Sequence, residues 1–365
     1  MIEVDGSFGE GGGQILRTSL ALAAVLGEDV RISKIRARRS EPGLRAQHMT
    51  AVSALSRLCN ASLEGLKIGS TQLVFKPRHF AGGHFRLDVG TAGSVALVLQ
   101  ALMPVVPFGK GISLELRGGT DVKWSPPIDY LQLVTLPILR RMGLVASLET
   151  VRRGHYPKGG GIVKFESKPL SPLSAIEVCD GERVVEVSGV SHVSNLPRHV
   201  AERQAESASK ILLEHHQPRA LLTIDASVND PLRSPGSGIV LVARASGMRI
   251  LGGDSLGERG KPAESVGEEA AKTLLEEIHS DCFLDRHMGD MIVPYMALAE
   301  GVSDVSVSRI TQHIITNVRM AESVTGVQFD SLGELGKPGR LRVRGLGLTT
   351  SGAASPREPI PIWDL

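Results

Sequence analysis

A histidine near the end of the chain is a candidate nucleophile. His313 stands in QHIITN, after the alternating run VSVS and just ahead of Thr316, a suitable N-cap for a helix. The positive end of a helix disfavours the cationic imidazole, so the ring stays neutral at cellular pH and can attack an electrophile. The alternative is a hydrogen-bonded histidine packed beneath the helix.

A glycine-rich turn near the start of the chain could bind an anion. DGSFGEGGGQILR places three consecutive glycines before a helix that starts near Gln14, where backbone N–H groups attract negative charge. Glu10 could hold a divalent metal ion, and Gln14 and Arg17 share one helical face. The alternative is a tight strand-to-helix turn with a solvated glutamate and a surface arginine.

The densest cationic patch lies in RISKIRARRSEPGLRAQH, which carries Arg31, Arg36, Arg38, Arg39 and Arg45 around a Pro-Gly turn. Such a patch fits a ligand with several phosphates or an RNA end. If IRARR is extended, Arg36 and Arg38 face one way and Arg39 the other, so they cannot all reach one ligand unless the strand ends there. The alternative is a charged, solvated edge strand.

Polar residues in two helical segments are further candidates. Gln100 lies in SVALVLQALMPVV, which is otherwise apolar, so its amide either bonds neighbouring backbone or reaches into a site. His287 and Asp290 stand three residues apart in HMGD ahead of a helix, a spacing that would suit a metal pair. No P-loop, no G-x-G-x-x-G, no K-x-D-G and no H-E-x-x-H motif occurs.

Composition excludes several classes of protein. The chain has 365 residues, 42% of them hydrophobic, which is ample for a core and excludes general disorder. Aromatic residues make up 4% and the net charge is +2, which argues against a base-stacking reader and a basic nucleic-acid coat protein. Three distant cysteines without a Cys-x-x-Cys pair favour a cytoplasmic setting. The sequence predicts neither a signal peptide nor a membrane span.

The elements that must position these residues form three similar segments. Each segment has a Gly-rich or polar turn, an apolar helix, a second helix and a strand pair, with helical spacing as at Val52, Leu55 and Leu58. Residues 182–279 do not fit this pattern and read as strand, helix, strand, strand, helix. We therefore predict an α/β (α+β) fold: a large domain of three repeated βαβαββ-type units (1–181 and 280–346), a smaller inserted α/β domain (182–279) and a C-terminal tail (347–365).

The motifs together resemble one family. GEGGGQILR, IRARRSEPGLRAQH, GTAGSVALVLQ, GGTD with a following PP, YPKGGG and QHIITN occur in one order, and this series resembles the RNA 3′-terminal phosphate cyclases over nearly all of residues 1–345. The resemblance implies a large domain of three repeated α/β units with a smaller domain inserted ahead of the third. It also implies ATP-dependent chemistry on RNA ends.

In the family pattern His313 matches the nucleophile. The resemblance implies that it attacks the α-phosphorus of ATP to form a histidine–AMP intermediate, and that AMP then passes to the RNA 3′-phosphate. The resulting RNA–diphosphate–adenosine end is attacked by the vicinal 2′-hydroxyl, which forms a 2′,3′-cyclic phosphate and expels AMP. The implied partners are ATP, a divalent metal ion (Mg or Mn) and an RNA with a 3′-terminal phosphate.

Other roles carry over one position at a time. Glu10 matches the metal-binding carboxylate, and Arg36 and Arg39 match arginines at the RNA-end site. Arg17 matches an arginine lining the phosphate site. The residues that match positions at the nucleotide are Gln47, Gln100, Asp290 and Pro127. His287 stands where a tyrosine can stack on the base, and Met291 follows Asp290 where a glutamine is often found, so nucleotide preference stays open.

Two rival hypotheses belong to different classes. One is an RNA-binding ribosome-assembly paralogue of the same fold without catalysis, a group that lacks the nucleophilic histidine. The other is an enolpyruvyl transferase, whose domains use a related repeated unit but which would need two similar large lobes. The presence of His313 argues for the enzyme over the first rival, and the single inserted module argues against the second.

Overall fold

The structure, a computed structural model, describes residues 1–9, 12–169, 172–178, 183–227, 234–247, 249–330 and 332–348. Glu10, Cys179 and most of the predicted tail lie outside these residues. Helices and strands alternate along the described chain and the strands form several sheets, so the prediction of an α/β fold is confirmed. Among the described residues no helix is long and apolar enough to span a membrane.

The first sheet has the strand order β1-β2-β4-β3, with β1 and β2 parallel and the other pairs antiparallel. Its elements are β1 (Ile2–Asp5), α1 (Gly13–Leu26), β2 (Val30–Ser33), α2 (Ala46–Leu58), β3 (Ser62–Glu64) and β4 (Leu73–Lys76). Helix α1 ends at Gly27, whose φ of 70° is a left-handed conformation that glycine adopts without strain. This end fixes the length of the helix whose other end carries the glycine turn.

The second sheet repeats this order of elements, as β5-β6-β8-β7 with a parallel first pair. Its elements are β5 (Gly83–Asp88), α3 (Val95–Leu102), a 3₁₀ turn (Val106–Phe108), β6 (Ile112–Gly118), α4 (Ile128–Tyr130), a π-helical turn (Leu131–Thr135), α5 (Leu136–Arg141), β7 (Ala146–Arg152) and β8 (Gly161–Ser167). The alternating segment GGIVKFE forms β8, as the sequence predicts.

The last part of the chain contains a smaller antiparallel pair, β13 with β14. Its elements are α8 (Arg286–Leu298), β13 (Val302–Val307), α9 (Gln312–Thr325) and β14 (Gly339–Arg344). Isolated bridges join Leu284 to Val307 in parallel and Phe329 to Val343 antiparallel, and they extend the pair on both sides. The division into three repeats remains a prediction, in support of which the first two sheets share one element order.

The fourth sheet lies in the segment that the sequence analysis set apart. Its order is β10-β9-β11-β12, formed by β9 (Val184–Ser194), α6 (Arg198–Glu214), β10 (Leu221–Ser227), β11 (Gly236–Ala245), β12 (Ile250–Leu256) and α7 (Ala263–His279). Helices α6 and α7 pack on it around a separate apolar cluster that includes Val187, Leu241 and Leu274. The domain boundaries stay a prediction.

Packing between helices brings the candidate site residues Gln14 and His313 together. Helix α1 packs against α9, and α9 packs against α8, all within the larger apolar core. Because Gln14 opens α1 and His313 lies in the first turn of α9, residues 299 positions apart come into contact.

Candidate active site

The described residues form a cavity of about 620 Å³ at the meeting point of α1, α3, α8, α9 and β12. A cavity of this size is ordinary for a small-molecule ligand. Its wall includes Gln14, Arg17, Leu97, Gln100, Val122, Lys123, Trp124, Ser125, Pro126, Asp254, Ser255, Leu256, Glu258, Lys261, Glu269, His287, Asp290 and His313. Six residues singled out from the sequence therefore share one cavity: Gln14, Arg17, Gln100, His287, Asp290 and His313.

The imidazole of His313 is exposed to the cavity and held by Gln14. The Nδ1 atom lies 2.5 Å from the side-chain oxygen of Gln14, and the Gln14 amide nitrogen donates to the His313 carbonyl oxygen at 3.1 Å and to Asp290 Oδ1. Because the amide nitrogen is the donor in both bonds, the amide oxygen must accept, so Nδ1 carries the proton. A neutral ring then has its lone pair on Nε2, which is the atom suited to nucleophilic attack.

The helix that carries His313 begins earlier than the sequence analysis predicted. The N-cap is Thr311, whose hydroxyl accepts from the Ile314 amide at 3.1 Å, and the prediction of Thr316 as cap was wrong. Thr316 is buried in the helix and its hydroxyl donates to the Gln312 carbonyl at 2.7 Å. An internal back-bond of this kind satisfies a threonine inside a helix. His313 consequently lies within the first turn, where the helix dipole is strongest.

Asp290 links α8 to the same network. Its Oδ1 accepts from the Asn317 side chain at 2.6 Å, and Asn317 in turn accepts from the Thr18 hydroxyl at 2.6 Å. Burial raises the pKa of Asp290, while the neighbouring His313, Arg17 and His287 act in the opposite direction. The three helices are thus joined by side-chain hydrogen bonds at the point where the candidate nucleophile sits.

The start of α8 is set by a buried cap. Asp285 accepts from the backbone amides of His287 and Met288 at 2.9 and 2.8 Å and from the Tyr130 hydroxyl at 2.6 Å. This cap leaves the His287 ring exposed at the cavity. The Tyr130 ring lies edge-on to it, with the two ring centroids 6.0 Å apart. Met291, one turn further, is only 9% exposed and points into the core.

The arginine segment folds as a turn rather than as an extended edge strand. Strand β2 ends at Ser33, and Lys34 and Arg36 take left-handed φ values of 50° and 53°. Arg36 donates to the carbonyl oxygens of Glu41 and Gly43 at 2.8 and 3.0 Å. Since the strand ends before the arginines, the alternation of faces expected for an extended IRARR does not apply.

The turn brings cations to the glycines of the α1 N-terminus. A Cβ atom on Gly12 would lie 3.3 Å from a terminal nitrogen of Arg39, and one on Gly13 would lie 3.1 Å from Arg17 Nη1. The same Cβ on Gly13 would meet His48 Nε2 at 2.3 Å, so no side chain fits there. Guanidinium groups and a helix N-terminus therefore converge on one place, which suits a phosphate group.

His48, which the sequence analysis did not single out, belongs to this cradle. Burial, with the nearby Arg17, Arg36 and Arg45, lowers the pKa of His48 to about 3, so the ring is neutral. Its Nδ1 accepts from the Arg45 backbone amide at 3.1 Å, which places the proton on Nε2, next to Gly13. The buried ring thus offers a neutral donor. The only sequence signal was its place in the arginine segment.

Three other residues predicted from the sequence, Gln47, Pro127 and Met291, do not line the cavity. Gln47, on α2, accepts from the Ser94 amide at 3.3 Å and so braces the start of α3. Pro127 is the buried N-cap residue of α4, and its neighbour Pro126 lines the cavity instead. Gln47, Pro127 and Met291 are therefore not among the described lining residues. Glu10 falls outside the described residues.

The sequence also did not predict the part of the cavity wall formed by the loop after β6, the end of β12 and the start of α7. Lys123 pairs with Glu258 at 2.9 Å, and Lys261 pairs with Glu269, so four charges there are already compensated. Trp124 is 95% exposed at this wall. Nothing in the local sequence pattern distinguishes these side chains, because they meet only when β12 approaches the loop after β6.

The fold and site define an α/β protein with an exposed, oriented imidazole and a cluster of arginines at a helix N-terminus that suits an anion. Comparison with known proteins agrees: the family model for RNA 3′-terminal phosphate cyclase matches residues 8–331. Curated proteins with this name include one from Ignicoccus hospitalis, 50% identical over 354 residues (95% of this chain, 99% of the relative), and one from Pyrococcus furiosus, 48% identical over 344 residues (94% and 98%). The chain belongs to the RNA 3′-terminal phosphate cyclase family and is an enzyme.

Proposed function

We propose that the chain converts an RNA 3′-terminal phosphate to a 2′,3′-cyclic phosphodiester at the expense of ATP, through a covalent AMP on His313. The observation that carries this proposal is the hydrogen bond between His313 Nδ1 and Gln14, which leaves the Nε2 lone pair directed for attack in an exposed ring. The relatives from Ignicoccus hospitalis and Pyrococcus furiosus, which share about half of their residues with this chain over nearly its whole length, are named for the same reaction and support the proposal.

In the first step Nε2 attacks the α-phosphorus of ATP and pyrophosphate leaves. The new P–N bond puts positive charge on the imidazole, and the Nδ1–H bond to the Gln14 oxygen stabilises that charge. Asp290 accepts from the Gln14 amide and so holds it in place, and its carboxylate lies near the imidazole on which the positive charge forms. Gln100, His287 and Asp290 line the same cavity and are the proposed contacts of the nucleoside.

In the second step an oxygen of the RNA 3′-phosphate attacks the phosphorus of the histidine–AMP, and the P–N bond breaks. In the third step the RNA 2′-oxygen attacks the 3′-phosphorus, loses its proton, and AMP leaves. The second step brings two anionic phosphates together, and in the third step negative charge develops on the departing AMP, so fixed cations must stabilise this charge. Arg17, Arg36, Arg39 and the donor Nε2–H of His48 at the glycine turn are suited to this task.

A divalent metal ion, Mg²⁺ or Mn²⁺, would lower the charge of the triphosphate when bound. The residue proposed to hold it, Glu10, lies outside the described residues, so the role stays a prediction from the resemblance. A cytoplasmic location is likewise a proposal, which rests on the cysteine usage.

The test is incubation of the full chain with ATP labelled at the α-phosphate. We expect a covalent protein–AMP adduct that is labile to acid and stable to alkali, as a phosphoramidate is, and that transfers its label to an RNA with a 3′-phosphate. His313→Ala should abolish the adduct. The matched control is His84→Ala, an exposed histidine on β5, which should leave labelling intact.

Three other outcomes would contradict parts of the proposal. A binding-only paralogue would form no adduct in the wild-type chain. An adduct that survives in His313→Ala would assign the nucleophile to another residue. An RNA product that keeps a 3′-monophosphate after label transfer would refute cyclisation.

A further inference from the structure

A second group, of two histidines and one carboxylate, is buried, and none of its members is among the lining residues of the His313 cavity. Asp121 follows β6, His155 follows β7, and His192 belongs to β9, so three separate parts of the chain meet. All three side chains are buried, and their potential ligand atoms lie within 4.8 Å of one another. None of them has a role in the proposed reaction.

Two members of this group, His192 and Asp121, carry buried polar atoms that no described residue satisfies. His192 is 0% exposed, and neither of its ring nitrogens has a hydrogen-bond partner among the described residues. Asp121 Oδ1 is also unpartnered there, and it faces His192 Nε2 at 3.7 Å, beyond hydrogen-bonding distance. Leaving such groups buried and unpaired is strongly unfavourable. A bound species between them would remove that cost.

The backbone is shaped to admit the two imidazoles. A Cβ atom on Gly236 would lie 2.2 Å from Cγ of His155, and one on Gly238 would lie 2.9 Å from Cε1 of His192. Both glycines are on β11, and the two rings stack with centroids 5.5 Å apart. Any other residue type at these two positions would push the rings out of place.

The charges around the rings favour a cation. Arg153 donates to Asp225 at 2.7 Å, lies 2.8 Å from Asp129 Oδ2 and contacts Asp121 Oδ2 at 3.4 Å. Three carboxylates thus face one guanidinium, so the group carries excess negative charge when ionised. Asp121 Oδ2 also accepts from the Thr120 hydroxyl at 2.7 Å, which leaves Oδ1 as the oxygen directed at His192.

We propose that Asp121, His155 and His192 form a zinc site. Two imidazoles and one carboxylate oxygen are a common zinc ligand set, with water in the fourth position, whereas Mg²⁺ and Ca²⁺ prefer oxygen ligands alone. Zinc bonds of about 2.0–2.1 Å place tetrahedral ligand atoms about 3.3 Å apart, close to the 3.7 Å between His192 Nε2 and Asp121 Oδ1.

The surroundings match the outer shell of such a site. With Nε2 of His192 on the metal, Nδ1 carries the proton. The nearest oxygen of Asp129, Oδ2, lies 3.9 Å from Nδ1, which is too long for a hydrogen bond, but it lies where a small movement would give the carboxylate–histidine–metal arrangement that orients a ligand ring. Asp121 directly precedes the cavity-lining residues 122–126. The metal therefore ties β9 to the loop that forms one wall of the cavity. This proposal does not depend on the reaction assigned to that cavity.

The test is the metal content of the full chain, purified without a polyhistidine tag from zinc-supplemented cells and dialysed in the absence of ATP. We expect one equivalent of zinc by elemental analysis. After stripping with a chelator, addition of Co²⁺ should give the visible absorption of a tetrahedral site, and added Zn²⁺ should raise the melting temperature.

Variants separate this site from others. His192→Asn and Asp121→Asn should each lose the zinc, whereas His313→Ala and the exposed His215→Asn should keep it. Zinc retained in both ligand variants would overturn the proposal. So would wild-type protein that takes up neither Zn²⁺ nor Co²⁺, in which case an ordered water fills the space. The Co²⁺ spectrum needs no variant, so misfolding of a ligand variant does not remove the test.

Discussion

Two histidines of this chain, His313 and His192, lie in opposite environments. His313 is exposed, and Gln14 fixes its proton on Nδ1. His192 is fully buried, has no hydrogen-bond partner on either nitrogen among the described residues, and faces a carboxylate at 3.7 Å. Of the two rings, only that of His313 is accessible to a molecule bound in the cavity.

The difference shows how the surroundings select the chemistry of an imidazole. An exposed ring with one nitrogen anchored to a neutral amide keeps its second nitrogen for attack on a substrate. A buried ring whose lone pair has no protein partner gains most from a metal ion. His48 is intermediate, since it is buried but hydrogen-bonded and presents a neutral donor beside Gly13.

Of the variants that test this difference between His313 and His192, His192→Ala should have the largest effect, which is on the free energy of unfolding. In zinc-loaded protein we expect the free energy of unfolding to fall by about 3–5 kcal/mol, because a ligand and a buried ring are both lost. In chelator-treated protein the loss should be clearly smaller. Urea denaturation with and without zinc measures both values. An equal loss under the two conditions would mean that His192 acts by packing alone.

Gln14→Ala should come next. Without the amide, the His313 ring loses both its tautomer and its orientation, and we expect the rate of AMP transfer to the protein to fall about 100-fold. Single-turnover labelling with α-labelled ATP measures the rate, with the exposed Gln72→Ala as the matched control. An unchanged rate in Gln14→Ala would show that the amide does not direct the ring.

The pH dependence of stability should report on His48. Its pKa is about 3 in the folded chain against 6.5 when unfolded, so unfolded chains bind the proton first and stability falls as pH drops below 6.5. Between pH 7 and pH 5 the loss from this residue is about 2 kcal/mol.

The variant that checks this is His48→Asn, which keeps an acceptor for the Arg45 amide. Its unfolding free energy in urea should change less between the two pH values than that of the wild type. The same pH dependence in both proteins would contradict a buried, neutral His48.

The smallest effect should come from Gly236→Ala. The added methyl group meets the His155 ring, and we expect a loss of about 1–2 kcal/mol from overpacking. Gly109→Ala, whose Cβ meets nothing nearer than 3.6 Å, is the control. The double variant Gly236→Ala/His155→Ala should lose less than the sum of the single variants, and simple additivity would show that the ring and the glycine are uncoupled.

Local patterns in the sequence predicted much of the fold and part of the site. Alternation and helical spacing identified strands such as β8 and helices such as α6, because side-chain periodicity reflects local backbone geometry. The same patterns failed at the start of α9, where Thr311 and Thr316 are both acceptable caps and only the hydrogen bonds choose between them.

The arginine segment shows a second kind of limit. Residue types indicated an anion site there, but whether the arginines share a face depended on where β2 ends. Left-handed φ values at Lys34 and Arg36, both non-glycine residues, carry no sequence signature. The conversion of a strand into a turn was therefore decided by contacts with the rest of the chain.

By itself the sequence determined the α/β class, the glycine-rich segment before α1, the cationic segment and the nearness of His313 to the start of a helix, since these depend on neighbours within a few residues. Only the tertiary structure decided that Gln14 holds His313, that His48 completes the cradle, and that Asp121, His155 and His192 meet. Each of these contacts joins residues from distant parts of the chain, and helix packing and strand pairing, which no local pattern encodes, bring them together.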